Sequence, residues 1–278
     1  MITFSIVTIT YNAEAVLGKT VGSVLAQTYP HVEHIIVDGA SKDGTVAVAE
    51  DYKRRSDAAA GGHTVSIKSE PDKGLYDAMN KGLARATGDY VLFLNAGDFF
   101  PGPSVLSEIV GGAALDNTPK SELPAVLYGN TDVVDDDGNF LFHRRLQPPE
   151  TLSWRSFRHG MLVCHQAFYA RVDIAREIPY DCRYRYSADV DWCIRVMKEA
   201  ERRRLPLHNL HAVVANYTEV GQSTIHHKAS LRERYRVMCV HYGRVSTFMM
   251  HLWFAVRLCV SRVKYRRGLH GKHGLKAL

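Results

Sequence analysis

Three features of the 278-residue sequence predict an α/β fold: a mostly parallel sheet flanked by helices, with a basic helical C-terminal extension. In the N-terminal part, short β-branched runs alternate with apolar residues at helical spacing. That is the pattern of βαβ units with right-handed crossovers. An apolar run, Tyr90 to Leu94, breaks abruptly into Asn95-Ala96-Gly97-Asp98, as a buried parallel strand does when its tip presents a carboxylate. Finally, residues 1–225 carry 23 Lys and Arg against 28 Asp and Glu, whereas residues 226–278 carry 12 against 1. The net charge of +6 is therefore a property of the tail.

Thr3 to Thr10 reads as the first strand, ending at Tyr11-Asn12, and Val16, Leu17, Val21 and Val24 then repeat as one face of a helix. Gln27-Thr28-Tyr29-Pro30 stops that helix. His34 to Val37 forms a second strand ending in Asp38 and the polar turn Gly39 to Gly44. A helix from Thr45 to about Asp57, a strand around Val65 to Lys68 and a helix over Gly74 to Thr87 lead to the strand at Tyr90. After Pro101 the rhythm changes to short strands, Ala125 to Tyr128 and Phe140 to His143, around an acidic hairpin turn at Asp135-Asp136-Asp137-Gly138. Ala167 to Arg171 and Ala212 to Tyr217 read as strands and Ala188 to Ala200 as a helix.

With 46% hydrophobic residues the chain can bury a full core. No continuous apolar run reaches the ~18 to 20 residues of a spanning helix, and Met1-Ile-Thr-Phe-Ser enters a strand with no basic leader, so the expected location is cytoplasmic. Five scattered cysteines, Cys164, Cys182, Cys193, Cys239 and Cys259, form no Cys-x-x-Cys pair and read as reduced structural thiols. Neither Gly-x-Gly-x-x-Gly nor Gly-x-x-x-x-Gly-Lys-Ser/Thr follows the first strand, which weakens dinucleotide and P-loop readings.

Asp38, the Glu70-Pro71-Asp72 turn and Asp98 all stand at strand ends, and in a parallel sheet such ends share one edge. A carboxylate there suits Mg2+ or Mn2+, which keep room for substrate phosphates. A second pair, Asp189 and Asp191, opens a helix at Ser187-Ala-Asp-Val-Asp-Trp192; at i and i+2 they face different ways, one able to face a cleft while the other supports the helix terminus.

Four ordered stretches carry a specific resemblance. Ser5-Ile-Val-Thr-Ile-Thr-Tyr-Asn12, Val37-Asp-Gly-Ala-Ser-Lys-Asp-Gly-Thr45, Asp72-Lys-Gly-Leu-Tyr-Asp-Ala-Met-Asn-Lys-Gly82 and Gly88-Asp-Tyr-Val-Leu-Phe-Leu-Asn-Ala-Gly-Asp98 resemble the motifs of family-2 glycosyltransferases, with weaker matches to about residue 225. The resemblance implies a GT-A, Rossmann-like fold. It also implies an inverting transfer of sugar from a nucleoside-diphosphate sugar, most simply UDP-linked, to a hydroxyl of a saccharide or lipid-linked saccharide. Thr8, Tyr11, Asn12, Asp38, Asp72, Lys73 and Asn95 match donor nucleotide positions; Asn80 and Gly82 sit in the helix behind them. Asp98 matches the metal end of an Asp-x-Asp-type motif, but Asn95 and Gly97 stand where relatives often carry acids. Asp189 matches the base that takes the acceptor proton, with Asp191 the second choice, and His165-Gln166 matches a pair near the acceptor. The Gly221-Gln-Ser-Thr224 turn, with His226 beyond it, resembles a segment closing over both substrates.

The expected organisation is a nucleotide-sugar half at 1–125, an acceptor half at 126–225 and a basic tail at 226–278. Val245, Phe248, Met249, Leu252, Trp253, Val256, Val260 and Val263 give that tail an amphipathic spacing, with Arg257, Arg262, Lys264, Arg266 and Arg267 toward its end. It either packs on the domain or lies peripherally on an anionic inner membrane, with the membrane ahead. Nucleic acid is not an expected partner, since no recognised module accompanies the charge. Two other classes stay open: a sugar-phosphate nucleotidyltransferase, which would be expected to carry a Gly-rich, Arg-containing loop where this chain has Tyr11-Asn12-Ala13-Glu14, and a non-catalytic membrane-associated binding protein of the same fold.

Overall fold

The computed structural model describes residues 1–218 and 227–254. The Gly221 to Thr224 turn, His226 and the tail beyond residue 254 lie outside the described residues. Strands β1 (Phe4–Thr10), β2 (Val32–Asp38), β3 (Thr64–Ser69) and β4 (Tyr90–Phe93) alternate with helices α1 (Glu14–Leu25), α2 (Thr45–Ala59) and α3 (Leu75–Arg85). They pair in parallel in the order β3-β2-β1-β4. Every residue of β1 is buried, which is why its apolar run does not alternate.

The chain then passes through α4 (Val105–Gly112), β5 (Val126–Val134), β6 (Phe140–His143), β7 (Phe168–Arg171), α5 (Val172–Ala175), α6 (Ala188–Arg203), β8 (Leu207–Thr218) and α7 (His227–Tyr242). β7 joins β4 antiparallel, with Tyr90 opposite Arg171, and so extends the parallel sheet across the middle of the molecule. One edge of β5 holds β7 along its first half and β6 along its second, while β8 runs parallel along the other edge. β5 thus continues six residues past the predicted end at Tyr128. The Gly129-Asn130-Thr131 interruption is accommodated by register shifts against β8. The acidic segment makes the predicted hairpin turn: Asp135 accepts from the Asn139 amide and backbone, and Gly138 takes φ 93°.

Trp192, fully buried, seats α6 on the sheet, its ring edge-on to Phe93 of β4 (5.5 Å) and Phe168 of β7 (5.7 Å). Tyr180 stacks on Trp192 at 4.8 Å and on Tyr76 of α3 at 5.5 Å. This aromatic block sets the start of α6, and so Asp189, against the start of α3. Asn80 adds to the joint, donating to the Tyr180 carbonyl (2.9 Å) and accepting from the Tyr180 N–H (2.7 Å); Gly82 packs where a Cβ would lie 2.3 Å from Val7 Cγ1. Both residues are packing elements.

A buried polar chain crosses the sheet beneath the tip of β4. The Leu94 carbonyl can only accept, so Thr8 Oγ1 donates to it at 2.8 Å. Thr8 Oγ1 then accepts from His34 Nε2–H (2.9 Å), and His34 Nδ1 accepts from the Tyr52 hydroxyl (2.8 Å). The network assigns one neutral tautomer, and burial pushes the His34 imidazole down to about 3. Replacing His34 by Ala orphans the buried Tyr52 hydroxyl, removes one of the two partners of Thr8 Oγ1 and opens a void, so unfolding in denaturant should show a loss of about 3 kcal/mol. A change below about 1 kcal/mol would mean that the chain carries no stability.

The first part of the basic tail belongs to the folded body. On α7, Glu233 accepts from the Arg185 and Tyr186 backbone N–H groups (3.0 and 2.6 Å), and the Ser230 carbonyl accepts from Ser187 Oγ (3.2 Å). His241 Nε2 donates to Asp191 Oδ1 at 2.8 Å, and Lys198 reaches His241 Nδ1 at 3.0 Å. Residues 227–242 therefore pack on α6 and the segment that leads into it through polar contacts, of which the one between Ser187 and Ser230 is buried.

Candidate active site

The tip of β4 is held from three sides. The Leu94 N–H donates to the Val7 carbonyl (3.0 Å), the Gly97 N–H to Thr20 Oγ1 of α1 (2.9 Å) and the Asp98 N–H to the Asn95 carbonyl (3.0 Å). Gly97 takes φ 99°, a conformation that favours glycine, so the turn reverses within four residues. Phe99 and Asn216 of β8 exchange backbone hydrogen bonds at 3.0 and 2.8 Å, which fastens the exit.

This rigid turn presents Asn95 and Asp98 to the segment before β7. Gln166 Nε2 donates to Asp98 Oδ2 at 2.9 Å. Asp98 is 8% exposed, and burial pushes its carboxyl up to about 6 against the opposing hydrogen bond from Gln166. With Asn95 Nδ2 as donor to His165 Nε2 (3.0 Å), the imidazole proton is assigned to Nδ1, which lies 3.6 Å from Asp189 Oδ2. His165 thus bridges Asn95 and Asp189 while Gln166 holds Asp98. The antiparallel joining of β7 to β4 carries both residues to the β4 tip.

Asp189 also accepts a hydrogen bond from the Tyr76 hydroxyl (3.2 Å). Burial raises its carboxyl, but the neighbouring His165 imidazole, the charge of Arg234 on α7 and the Val190 N–H outweigh that and hold it below the usual carboxylate range. It is an ionised base at neutral pH. Asp191 lies elsewhere: two residues along α6 it faces away, pairing with Arg195 (2.6 Å) and His241 and only 4% exposed. Its role as the second choice for the base is corrected to an α6–α7 tie.

Asp38 ends β2 and is buried, accepting from Thr10 Oγ1 (3.0 Å), Ser69 Oγ (2.6 Å) and both the hydroxyl and N–H of Ser41. Burial raises its carboxyl, and these four bonds outweigh it and hold it below the usual range. Tyr11, 64% exposed, Gly39 and Asp72 meet at the mouth: a Cβ at Gly39 would fall 2.4 Å from Asp72 Oδ2 and 3.3 Å from the Tyr11 ring. Asn12, at φ 47°, spends its amide oxygen on the Lys42 N–H (2.9 Å), bracing the loop that lines this mouth. Lys73 is exposed at the entrance to α3. Thr8 is corrected: fully buried, it belongs to the His34 chain and presents nothing to the cleft. Tyr76 and Arg234 were not among the predicted site residues. Tyr76 lies within the Asp72 to Gly82 motif, where its helical position could have drawn notice, whereas Arg234 is hidden in a charge run.

Among the described residues no three His, Cys, Asp or Glu side chains group as a metal site. The oxygen donors of the β4 turn nevertheless fit a hard cation that takes most of its ligands from substrate and water: the Asp98 carboxylate, and Asn95 Oδ1, which is buried without a hydrogen-bond partner.

Residues 5–178 match the model of a family described as Glycosyl transferase family 2. A PGL/p-HBAD biosynthesis glycosyltransferase of Mycobacterium bovis is 34% identical over 219 residues, covering 78% of this chain and 77% of that protein. An uncharacterized glycosyltransferase of Mycobacterium tuberculosis is 37% identical over 196 residues, 69% and 68% of the two chains. Among solved structures, S. aureus TarS 1-349 in complex with UDP-GlcNAc has a TM-score of 0.66 at 18% identity, over 86% of this chain and 65% of that one, slightly under two thirds of its length. A mannosyltransferase of Pyrobaculum calidifontis in complex with GDP-Man and Mn2+ has a TM-score of 0.57 at 14% identity, over 96% and 80%. With the family model spanning strands β1 to β7 and an ionised carboxylate set beside the β4 tip, the chain belongs to the family-2 glycosyltransferases, with the GT-A fold.

Proposed function

We propose that the enzyme transfers a sugar, with inversion, from a nucleoside-diphosphate sugar to a hydroxyl of a saccharide or lipid-linked saccharide. The observation that carries this reading is the His165-Gln166 pair, which sets the base Asp189 and the Asp98 turn on neighbouring atoms of one rigid frame. Complexes of fold neighbours with UDP-GlcNAc and GDP-Man support a nucleotide-sugar donor, and a UDP sugar is the form we favour. A glycan acceptor is supported by a Bacillus subtilis relative, a putative teichuronic acid biosynthesis glycosyltransferase, 42% identical over 94 residues.

In this reading the nucleotide enters at Tyr11, Gly39 and Asp72, above the braced carboxylate of Asp38. Asp98, with Asn95 Oδ1 beside it in the turn, would hold Mg2+ or Mn2+, which when bound supplies positive charge against the diphosphate. Asp189 Oδ2 takes the proton of the acceptor hydroxyl as its oxygen bonds the anomeric carbon, and the diphosphate leaves from the opposite face with the electron pair of the broken bond. His165 and Tyr76 hold the Asp189 carboxylate in place, and its ionisation at neutral pH keeps it ready as a base. The donor side is residues 1–125 and the acceptor side 126–225, with Gln166 crossing between them to Asp98.

Incubation with a panel of UDP and GDP sugars, with Mn2+ or EDTA, tests the assignment. Slow, metal-dependent release of the nucleoside diphosphate without acceptor is the expected result. Consumption of a nucleoside triphosphate with a sugar phosphate would instead identify a nucleotidyltransferase, and neither activity would leave a binding protein.

A further inference from the structure

We infer that helical residues 244–254 are a seat for an anionic lipid bilayer. α7 ends at Gly243, whose φ of 82° breaks the helix before the next one begins. On the second helix Val245, Phe248, Met249 and Leu252 recur at i, i+3, i+4 and i+7 and are 79%, 59%, 56% and 50% exposed. This row is not the face that packs inward. Thr247 is fully buried, and His251, bonded to the Thr247 carbonyl at 2.9 Å, sets its ring edge-on to Tyr235 of α7 at 5.0 Å. A helix with one face already packed and a second apolar face in water needs a further partner.

Charge identifies that partner. Arg244 opens the helix, and the sequence after it, residues 255–278, carries seven Lys and Arg with no Asp or Glu. An apolar row continuous with unbalanced positive charge matches the boundary of a bilayer with anionic headgroups, where each Lys or Arg strengthens attachment. A second copy of the chain fits poorly: four side chains fall far below the roughly 800 Å² per partner of a stable interface, and the two tails would repel. Among the described residues no helix is long and apolar enough to cross a membrane. The inference stands apart from the transferase reading, since Val245, Phe248, Met249 and Leu252 are not among the cleft residues.

Flotation of the full chain with vesicles tests it, comparing pure phosphatidylcholine with a mixture containing roughly 30% phosphatidylglycerol. The anionic vesicles should retain the protein about tenfold or more strongly, and salt near ~0.5 M should release most of it. Phe248→Glu with Leu252→Glu should reduce retention about tenfold or more while the thermal shift given by a bound UDP sugar is unchanged. If that pair impairs donor binding, Val245→Ser with Met249→Gln serves as the milder test. Equal retention on neutral and anionic vesicles, or none on either, overturns the proposal, as does a lipid-free dimer that the same substitutions dissolve. Donor binding is read separately, so failure of the membrane seat leaves the transferase reading untouched.

Discussion

Replacing Asp189 by Asn should lower sugar transfer by about 100- to 10,000-fold while leaving donor affinity within about twofold. The substitution keeps size and hydrogen-bond reach but removes the site for the acceptor proton. His165 and Tyr76 both approach Asp189 as donors, so the variant amide must turn its oxygen toward one of them, and the fold is expected to hold. Because Asp189 sits below the usual carboxylate range, it stays ionised throughout neutral pH, and raising the pH should not restore the variant. Asp191→Asn provides the contrast. It weakens a buried pairing with Arg195 and His241, so it should cost about 3 kcal/mol of stability and change turnover by less than about tenfold. Turnover by initial rates and donor affinity by calorimetry separate the two cases. An Asp189 variant with an undiminished rate, or a greater catalytic loss from Asp191, would move the base elsewhere.

The two aspartates show how far local pattern can reach. Their divergence on α6 follows from helical spacing alone, but which of them meets the cleft depends on Trp192, which rotates the helix by burying its ring against Phe93 and Phe168. The parallel half of the sheet was legible because β1, β2 and β4 are buried on both faces and stand out as apolar runs between polar turns. That same property misled at Thr8. A run without alternation holds no information about which side chains face the cleft, and only the contacts with His34 and Leu94 place Thr8 inside. Gln166 and Asp98 are 68 positions apart, and no periodicity announces the β4–β7 pairing that joins them. α4 lies between Pro101 and Ala125, where no element was predicted and where Gly102, Pro103, Gly111 and Gly112 break the helical pattern. Arg234 was absorbed into the charge of the tail, although its Nε is buried without a hydrogen-bond partner and its charge bears on Asp189. The basic tail thus divides: one helix completes the surroundings of the base, and the next turns an apolar row outward.

Replacing Asp98 by Asn should stabilise the metal-free protein and abolish metal-dependent donor binding. The two effects have one origin. In the folded chain burial lifts the Asp98 carboxyl from its ordinary value near 3.8 to about 6, so between those values the native state binds a proton that the unfolded chain does not. Stability from this group therefore falls as the pH rises through that window. Above it the ionised carboxylate carries a cost whose upper bound, at about 1.4 kcal/mol for each of roughly two pH units, is about 3 kcal/mol. Asparagine carries no such charge, and its amide oxygen can still accept from Gln166. At pH 8 the variant should melt roughly 3 to 8 °C higher than the wild type, with the gap closing as the pH approaches 4. The comparison must be made against the variant, because His34 acts in the opposite sense: its folded value near 3 lies below the ordinary ~6.5, so the unfolded chain takes up its proton first and acid destabilises both proteins alike. Donor binding with Mn2+ present should weaken by about tenfold or more in the variant, and EDTA should bring the wild type to the same level. A variant that melts lower at pH 8, or a wild type whose donor affinity ignores EDTA, would remove Asp98 from the metal. The expected opposition, with stability gained and binding lost at one carboxylate, follows from keeping a charge buried at the β4 tip, where a cation and the diphosphate it faces would be its natural partners.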